Sequence, residues 1–134
     1  MNIQVRYFTR SGNTEKLAKA IGEAVGVQPE SIAVPLSEKA DILFLGTSYY
    51  AFDADPAVKE FVLVNKEHIG KIICFGTSAM MKSMYKPMKK VADKACVSLE
   101  KEDFHCRGEW WRCHPGRPDK NDLAAARAFA KKFV

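Results

Sequence analysis

A doubly wound α/β domain, with a parallel sheet between two helix layers, is the fold class this sequence predicts, and three observations predict it. Short apolar runs alternate with helical patterns along the whole chain, strand then helix about five times over. The runs are uninterrupted and rich in β-branched or aromatic residues, as in Ile42-Leu43-Phe44-Leu45 and Ile72-Ile73-Cys74-Phe75, which suits strands buried on both faces. At 134 residues the chain fits one domain, and it is too short for the eight-stranded α/β barrel, which needs about 250. Right-handed crossovers then place helices on both faces of the sheet.

Taken in order, Ile3 to Phe8 reads as the first strand and stops at a polar, glycine-containing turn. Thr14 to Val25 sets Leu17, Ala18, Ile21, Ala24 and Val25 on one helical face. Ser31 to Leu36 reads as a short second strand interrupted by Pro35, which suits an edge position. Asp41 to Gly46 is a buried-type third strand. Asp55 is then an N-cap with Pro56 in the first helical turn, and Val58, Phe61 and Val62 form the inner face. Lys71 to Gly76 is the fourth strand. Met84, Met88, Val91, Ala92 and Ala95 keep helical spacing, with the regular helix starting near Pro87. A fifth strand falls within Cys96 to Gly108, and Asp122 to Val134 places Leu123, Ala126, Phe129, Ala130 and Phe133 on the inner face of a last helix.

Composition narrows the function classes. With 47% hydrophobic and 28% charged residues the chain is not of the disordered type. Its longest apolar runs are four residues, against about 20 for a membrane helix. The opening Met1-Asn2-Ile3-Gln4-Val5-Arg6 runs straight into strand-like sequence without a basic-then-apolar export signal, so the cytoplasm is the expected location. Four cysteines in that setting do not read as a disulfide framework. Charge is uneven: residues 1–67 carry 7 Lys/Arg against 9 Asp/Glu, and residues 68–134 carry 14 against 7. The lysines and arginines are dispersed and match no DNA- or RNA-binding motif, so an acidic protein partner is a better expectation than nucleic acid.

Ligands of open parallel sheets collect at the carboxyl ends of the strands, where strand order reverses. The loops to inspect are therefore 9–14, 47–54, 77–83 and 108–118. Thr9-Arg10-Ser11-Gly12-Asn13-Thr14 joins a strand to an amphipathic helix. Its hydroxyls can donate to oxygens, Gly12 lets the backbone curl round an anion, and the helix presents its amides and positive dipole end. It is a phosphate cradle without a lysine; it matches neither the Walker loop, nor the dinucleotide Gly-x-Gly-x-x-Gly, nor a Cys-x5-Arg phosphatase loop.

Thr9-x-Ser11-Gly12-Asn13-Thr14-Glu15-x-Leu17-Ala18, directly after Tyr7-Phe8, resembles the flavin mononucleotide (FMN) phosphate signature of the flavodoxin family. Ala40 to Phe52 followed by Pro56-Ala57-Val58-Lys59-Glu60-Phe61 is similar to that family's strand, flavin-stacking loop and helix, and Gly76-Thr77-Ser78-Ala79 is similar to its second flavin loop. The resemblance covers nearly the whole chain. It implies a single domain over 1–134, a flavodoxin-like three-layer sandwich with a five-stranded parallel sheet in the order 2-1-3-4-5 and helices on both faces. It also implies FMN as the cofactor. Thr9, Ser11, Asn13 and Thr14 would then hold the phosphate and Gly12 would permit its approach, with Arg10 at a variable, solvent-facing position of the same loop. Thr47, Ser48, Tyr49, Tyr50, Ala51 and Phe52 would form the first ring-binding loop, and Thr77, Ser78 and Ala79 the second.

The chemistry of a flat aromatic ring with a polar edge asks for π faces and backbone hydrogen bonds. Tyr49, Tyr50 and Phe52 offer faces from one loop, and Trp110, with Trp111, offers another. Cys106 and Cys113 are spaced Cys-x6-Cys, which is not the two- to four-residue gap of structural zinc sites. Two departures from the family stand out: its electron shuttles are acidic while this chain is +5, and the second loop, Ser78 to Lys82, lacks a tyrosine. The leading expectation is an FMN-binding electron carrier with no catalytic side chain, docking on an acidic redox partner. The alternatives are an FMN-dependent reductase passing electrons from a nicotinamide nucleotide to a quinone-type acceptor, and a flavin-free interaction domain on the same fold.

Overall fold

The computed structural model describes residues 1–9, 12–48, 54–77, 85–106 and 116–134. Strands β1 (Ile3–Tyr7), β2 (Glu30–Ser31), β3 (Ile42–Ser48), β4 (Lys71–Thr77), β5 (Ser98–Leu99) and β6 (Phe104–Cys106) form one sheet. Helices α1 (Asn13–Val25), α2 (Pro56–Asn65), α3 (Tyr85–Ala95) and α4 (Lys120–Lys131) accompany it, with a 3-10 turn at Lys66–His68. All strand pairs are parallel, in the order β2-β1-β3-β4, and the position beyond β4 is shared by β5 and β6. Five sheet positions in the order 2-1-3-4-5 result, as expected.

The layers follow from the two-residue period of the strands. Leu43, Leu45, Ile72 and Cys74 point to one face and pack with Val58, Phe61 and Val62 of α2 and Met88, Val91 and Ala95 of α3. Ile42, Phe44, Ile73 and Phe75 point to the other, against Leu17, Ala18 and Ile21 of α1 and Ala126, Phe129 and Ala130 of α4. Neighbours in sequence thus serve opposite cores, which is why β3 and β4 read as continuous apolar runs. Each large side chain enclosed in this way contributes about 1.5–3 kcal/mol. Among the described residues, no helix is long and apolar enough to cross a membrane.

Three expectations about the strands and the strand-helix repeat need correction. The second strand stops at Ser31 instead of reaching Leu36. There the Ala33 amide donates to Ser31 Oγ (2.9 Å) and the Val34 amide to the Ser31 carbonyl (3.0 Å), so the chain turns away. The buried Arg6 then takes the carbonyl of Val34 (3.0 Å), which a longer strand would have offered to the ladder. The repeat of strand and helix is also incomplete. Residues 32–41 run from β2 to β3 without a helix, leaving four helices among the described residues, since Pro35 and the polar run Ser37-Glu38-Lys39 provide no helical face. Finally, the fifth strand is split. β4 advances three residues from Ile72 to Phe75 while the edge advances five from Leu99 to Phe104, so two extra residues leave the ladder.

The last helix starts at Lys120, two residues earlier than its apolar pattern indicates. Asp119 accepts from the Asp122 amide (3.0 Å) while the Asp119 amide donates to Asp122 Oδ2 (2.8 Å), a reciprocal cap. Arg117 donates to both carboxylate oxygens of Asp122 (2.5 and 2.8 Å). This guanidinium holds the Asp122 carboxyl below the usual carboxylate range, against the opposing effect of partial burial. A depressed folded pKa means stability that is complete above the unfolded value, near 4, and lost as pH falls through the folded value. Asp122→Asn should therefore lower the urea midpoint at pH 7 and flatten its decline on the acid side; an unaltered acid limb would place the clamp's effect elsewhere.

Candidate functional site

Strand order reverses at β1: the chain leaves it for β2 on one side and returns to β3 on the other. The carboxyl ends of β1, β3 and β4 therefore bound a crevice, and the described members of the predicted site stand there. Phe8 extends the pairing of β1, its amide donating to the Gly46 carbonyl (2.9 Å). Thr9 follows, and its Oγ1 accepts the Gly12 amide (2.9 Å). Gly12 sits at φ +88°, in the left-handed region that costs an L side chain about 1–2 kcal/mol, and it is the N-cap of α1.

This cap differs from those of α2 and α4. Asp55 closes α2 by accepting from the Ala57 amide (2.9 Å), and Asp119 closes α4. Gly12 has no side chain to do the same at α1. The end of α1 nearest the reversal thus keeps its positive dipole end without an acidic N-cap, the chemistry that an oxyanion requires. Thr9 adds a hydroxyl that has accepted a hydrogen bond and retains its own hydrogen to donate.

Asn13 and Thr14, the first residues of α1, are buried, as are Thr47 at the end of β3 and Thr77 at the end of β4. Thr14 Oγ1 lies 3.3 Å from Thr77 Oγ1. This contact ties the loop after β1 to the strand that feeds the loop after β4, across 63 residues of sequence. Ser48 pairs with Thr77 in the sheet and Thr47 with Gly76, so the two loops leave adjacent strands at the same level. Of the predicted site, Thr9, Gly12, Asn13, Thr14, Thr47, Ser48 and Thr77 are brought to one end of the sheet. Arg10, Ser11, Tyr49, Tyr50, Ala51, Phe52, Ser78, Ala79 and Trp110 lie outside the described residues.

Two participants were not picked out from sequence. Tyr7 donates its hydroxyl to Glu15 Oε2 (3.0 Å). Burial, then the Glu15 carboxylate, pushes the phenol up from its ordinary value, so it remains a donor and restrains an acidic side chain in the first turn of α1. The signal was the period of β1, which sends Val5 and Tyr7 to the α1 face. Gly46 is the second. A Cβ there would lie 2.4 Å from the Phe75 ring and 2.9 Å from Thr14 Cγ2, so its lack of a side chain lets the first turn of α1 settle on β3. Nothing in the sequence separates such a glycine from an ordinary strand-end residue.

Cys106 ends β6 level with Thr77, at the same end of the sheet. Burial, followed by the Asp122 charge, pushes its thiol up to about 12, so it is protonated near neutrality and ill suited to nucleophilic or exchange chemistry. Among the described residues no group of three or more His, Cys, Asp or Glu side chains could hold a metal ion.

No protein-family model matches the sequence, and no curated protein is similar to it in sequence. Solved structures are similar in fold. A flavodoxin from the domain Archaea superposes with a TM-score of 0.76 at 20% identity, covering 98% of this chain and 95% of that one. Flavodoxin 2 from Bacillus cereus gives 0.68 at 18% identity, covering 99% and 97%. The Flv1 flavodiiron core from Synechocystis sp. PCC6803 gives 0.75 at 14% identity; it matches 99% of this chain, which spans 35% of that longer one. The chain has the flavodoxin fold.

Proposed function

We propose that this protein binds FMN at the strand-order reversal and carries electrons to and from an acidic protein partner. The observation that carries the reading is the Thr9 hydroxyl bound to the amide of Gly12, the glycine N-cap of α1, at the reversal point of a flavodoxin fold. These residues suit a dianionic phosphate ester. The amides at the start of α1 and the Thr9 hydroxyl are donors, and the helix dipole adds to them. Ser11, Asn13 and Thr14 complete the cradle in this reading, while Thr47, Ser48, Thr77 and the loops they lead into hold the ring, between Tyr49, Tyr50 or Phe52 on one side and Trp110 on the other.

Bound flavin supplies the one- and two-electron chemistry itself; the protein sets how readily it occurs. The chain's contribution is orientation and exclusion of water. Buried Thr14, Thr47 and Thr77 form a floor of hydroxyls over two apolar cores, so the cofactor end rests on rigid strands. No acid, base or nucleophile is required, and the protonated Cys106 offers none.

An absorbance scan of the freshly purified protein, followed by FMN titration with fluorescence detection, tests this. Blue and near-ultraviolet flavin bands, or saturable quenching of added FMN, are expected. Colourless protein that leaves FMN fluorescence unchanged would overturn the reading. Bleaching of the bound flavin by a nicotinamide nucleotide alone would replace the carrier with the reductase.

A further inference from the structure

The chain passes from β2 to β3 without a helix, and a groove lies between that connection and α2. Its volume is about 660 Å³, inside the span of roughly 300–1,000 Å³ usual for small-molecule sites. One side is a single face of α2, since Ala57, Phe61 and Val64 are four and three residues apart. Phe61 is buried, but Val64 is 71% exposed and leaves apolar surface wet. Ile32, Ala33 and Pro35, just beyond β2, form another side, and Phe8 and Ile32 also pack against the core shared by α2 and α3. That connection is held in place. Ser31 accepts the amides of Ala33 (2.9 Å) and Val34 (3.0 Å), and Arg6 takes the Val34 carbonyl (3.0 Å), so the groove is already formed without a ligand.

Two features narrow what belongs there. The first is charge. Among the described residues no lysine, arginine or histidine lines the groove, and Glu60 is its one carboxylate residue, so it suits an uncharged, mostly apolar body and disfavours an anion. Asn65 adds a polar edge: it is buried, its Oδ1 accepts the Leu36 amide (3.0 Å) and its Nδ2 donates to the Phe61 carbonyl (2.9 Å). Those bonds fix the carboxamide and use one of the two hydrogens and one of the two lone pairs it has. The second feature is continuity. Thr9 lines the groove, and its hydroxyl takes the amide of Gly12, the N-cap of α1, so the groove adjoins the position proposed for the flavin phosphate.

We propose that this groove receives the adenosine of flavin adenine dinucleotide (FAD), with the pyrophosphate at the start of α1, so that the site takes FAD in addition to FMN. The inference rests on the flavin reading above. In doubly wound sheets a dinucleotide sets its pyrophosphate on the N-terminus of the first helix and its ribose against a carboxylate. The same division of charge is present here: a helix dipole without an acidic cap, and beside it a groove whose one charged lining residue is acidic. A purine is a flat aromatic body with a polar edge; Phe8, Ile32 and Phe61 suit its faces, Asn65 its edge, and Glu60 the ribose hydroxyls. From Ala57 to Asn65 the groove follows α2 for about 12 Å, enough for a base and its ribose in line. An apolar helix of another protein would cover Val64 but gain nothing from the neighbouring phosphate position.

Calorimetric titration of the full chain with FMN and with FAD, paired with backbone amide shifts, provides the test. FAD should bind about tenfold or more tighter than FMN, and it alone should shift amides of residues 31–36 and 57–65. Ala57→Leu, which fills the groove, and Val64→Glu, an exposed change that adds a second carboxylate, should each remove most of that advantage and leave FMN affinity unaltered. Circular dichroism confirms that both variants fold. Equal affinity for the two flavins, or FAD shifts that miss these segments, overturns the proposal and leaves FMN binding standing. ADP that shifts the same amides while FAD holds no advantage gives the groove to a free nucleotide and also overturns it. So does sedimentation showing a dimer that Val64→Glu disrupts and FAD does not, which gives the groove to a second copy. Failure of both flavins to bind refutes this inference and the flavin reading together.

Discussion

Gly46→Ala should lower the unfolding free energy by about 3 kcal/mol, the upper part of the range for overfilling a packed core. The added methyl would stand 2.4 and 2.5 Å from two atoms of the Phe75 ring and 2.9 Å from Thr14 Cγ2, and Phe75 and Thr14 are both fully buried. Gly46 is paired on both sides, with Tyr7 and with Phe75, so β3 cannot shift outward to make room without breaking two ladders. Urea unfolding at constant slope measures the loss. Because relief requires moving Thr14, FMN affinity should fall in parallel. A midpoint equal to that of the parent would mean that the Phe75 ring swings aside freely, and that the seating of α1 on β3 is looser than its packing implies.

Ser11→Ala combined with Thr14→Val should weaken FMN binding by about 1–3 kcal/mol for each hydroxyl contact to the charged phosphate that is removed. The two substitutions differ in one respect. Thr14 also meets Thr77 across the sheet, so its replacement costs fold stability, on the order of 1 kcal/mol, through the hydroxyl left behind. Thr77→Val alone and together with Thr14→Val closes a double-mutant cycle that separates the two effects. Stability should recover in part when both hydroxyls are gone, while affinity should not. Unchanged affinity in the Ser11/Thr14 variant would put the phosphate somewhere other than this turn.

Much of the architecture was legible because it rests on local physics. The two-residue period of Ile42 to Leu45 and Ile72 to Phe75 divides them between two cores whatever the rest of the chain does. Asp55-Pro56 opens α2 because a carboxylate and a proline solve the same problem of unpaired first-turn amides. The start of α1 was legible for a related reason: Gly12 is a residue for which the left-handed conformation costs little. Where competition between distant groups decided the outcome, the pattern misled. Arg6, buried in β1, captures a carbonyl that would otherwise have extended β2. The edge strand breaks after Leu99, where the Glu100 amide still reaches the Ile72 carbonyl (2.8 Å) and its carboxylate meets Lys71, before the ladder resumes at Phe104.

By itself the sequence determined the inner strands β1, β3 and β4 and which face of each helix is apolar, because these depend on interactions spanning a few residues. Tertiary structure alone decided that Thr14 meets Thr77, that Tyr7 restrains Glu15 in the first turn of α1, and that Gly46 must lack a side chain. Each of these is a short-range contact between atoms that only the right-handed crossovers bring together, and no local pattern encodes the partner at the other end.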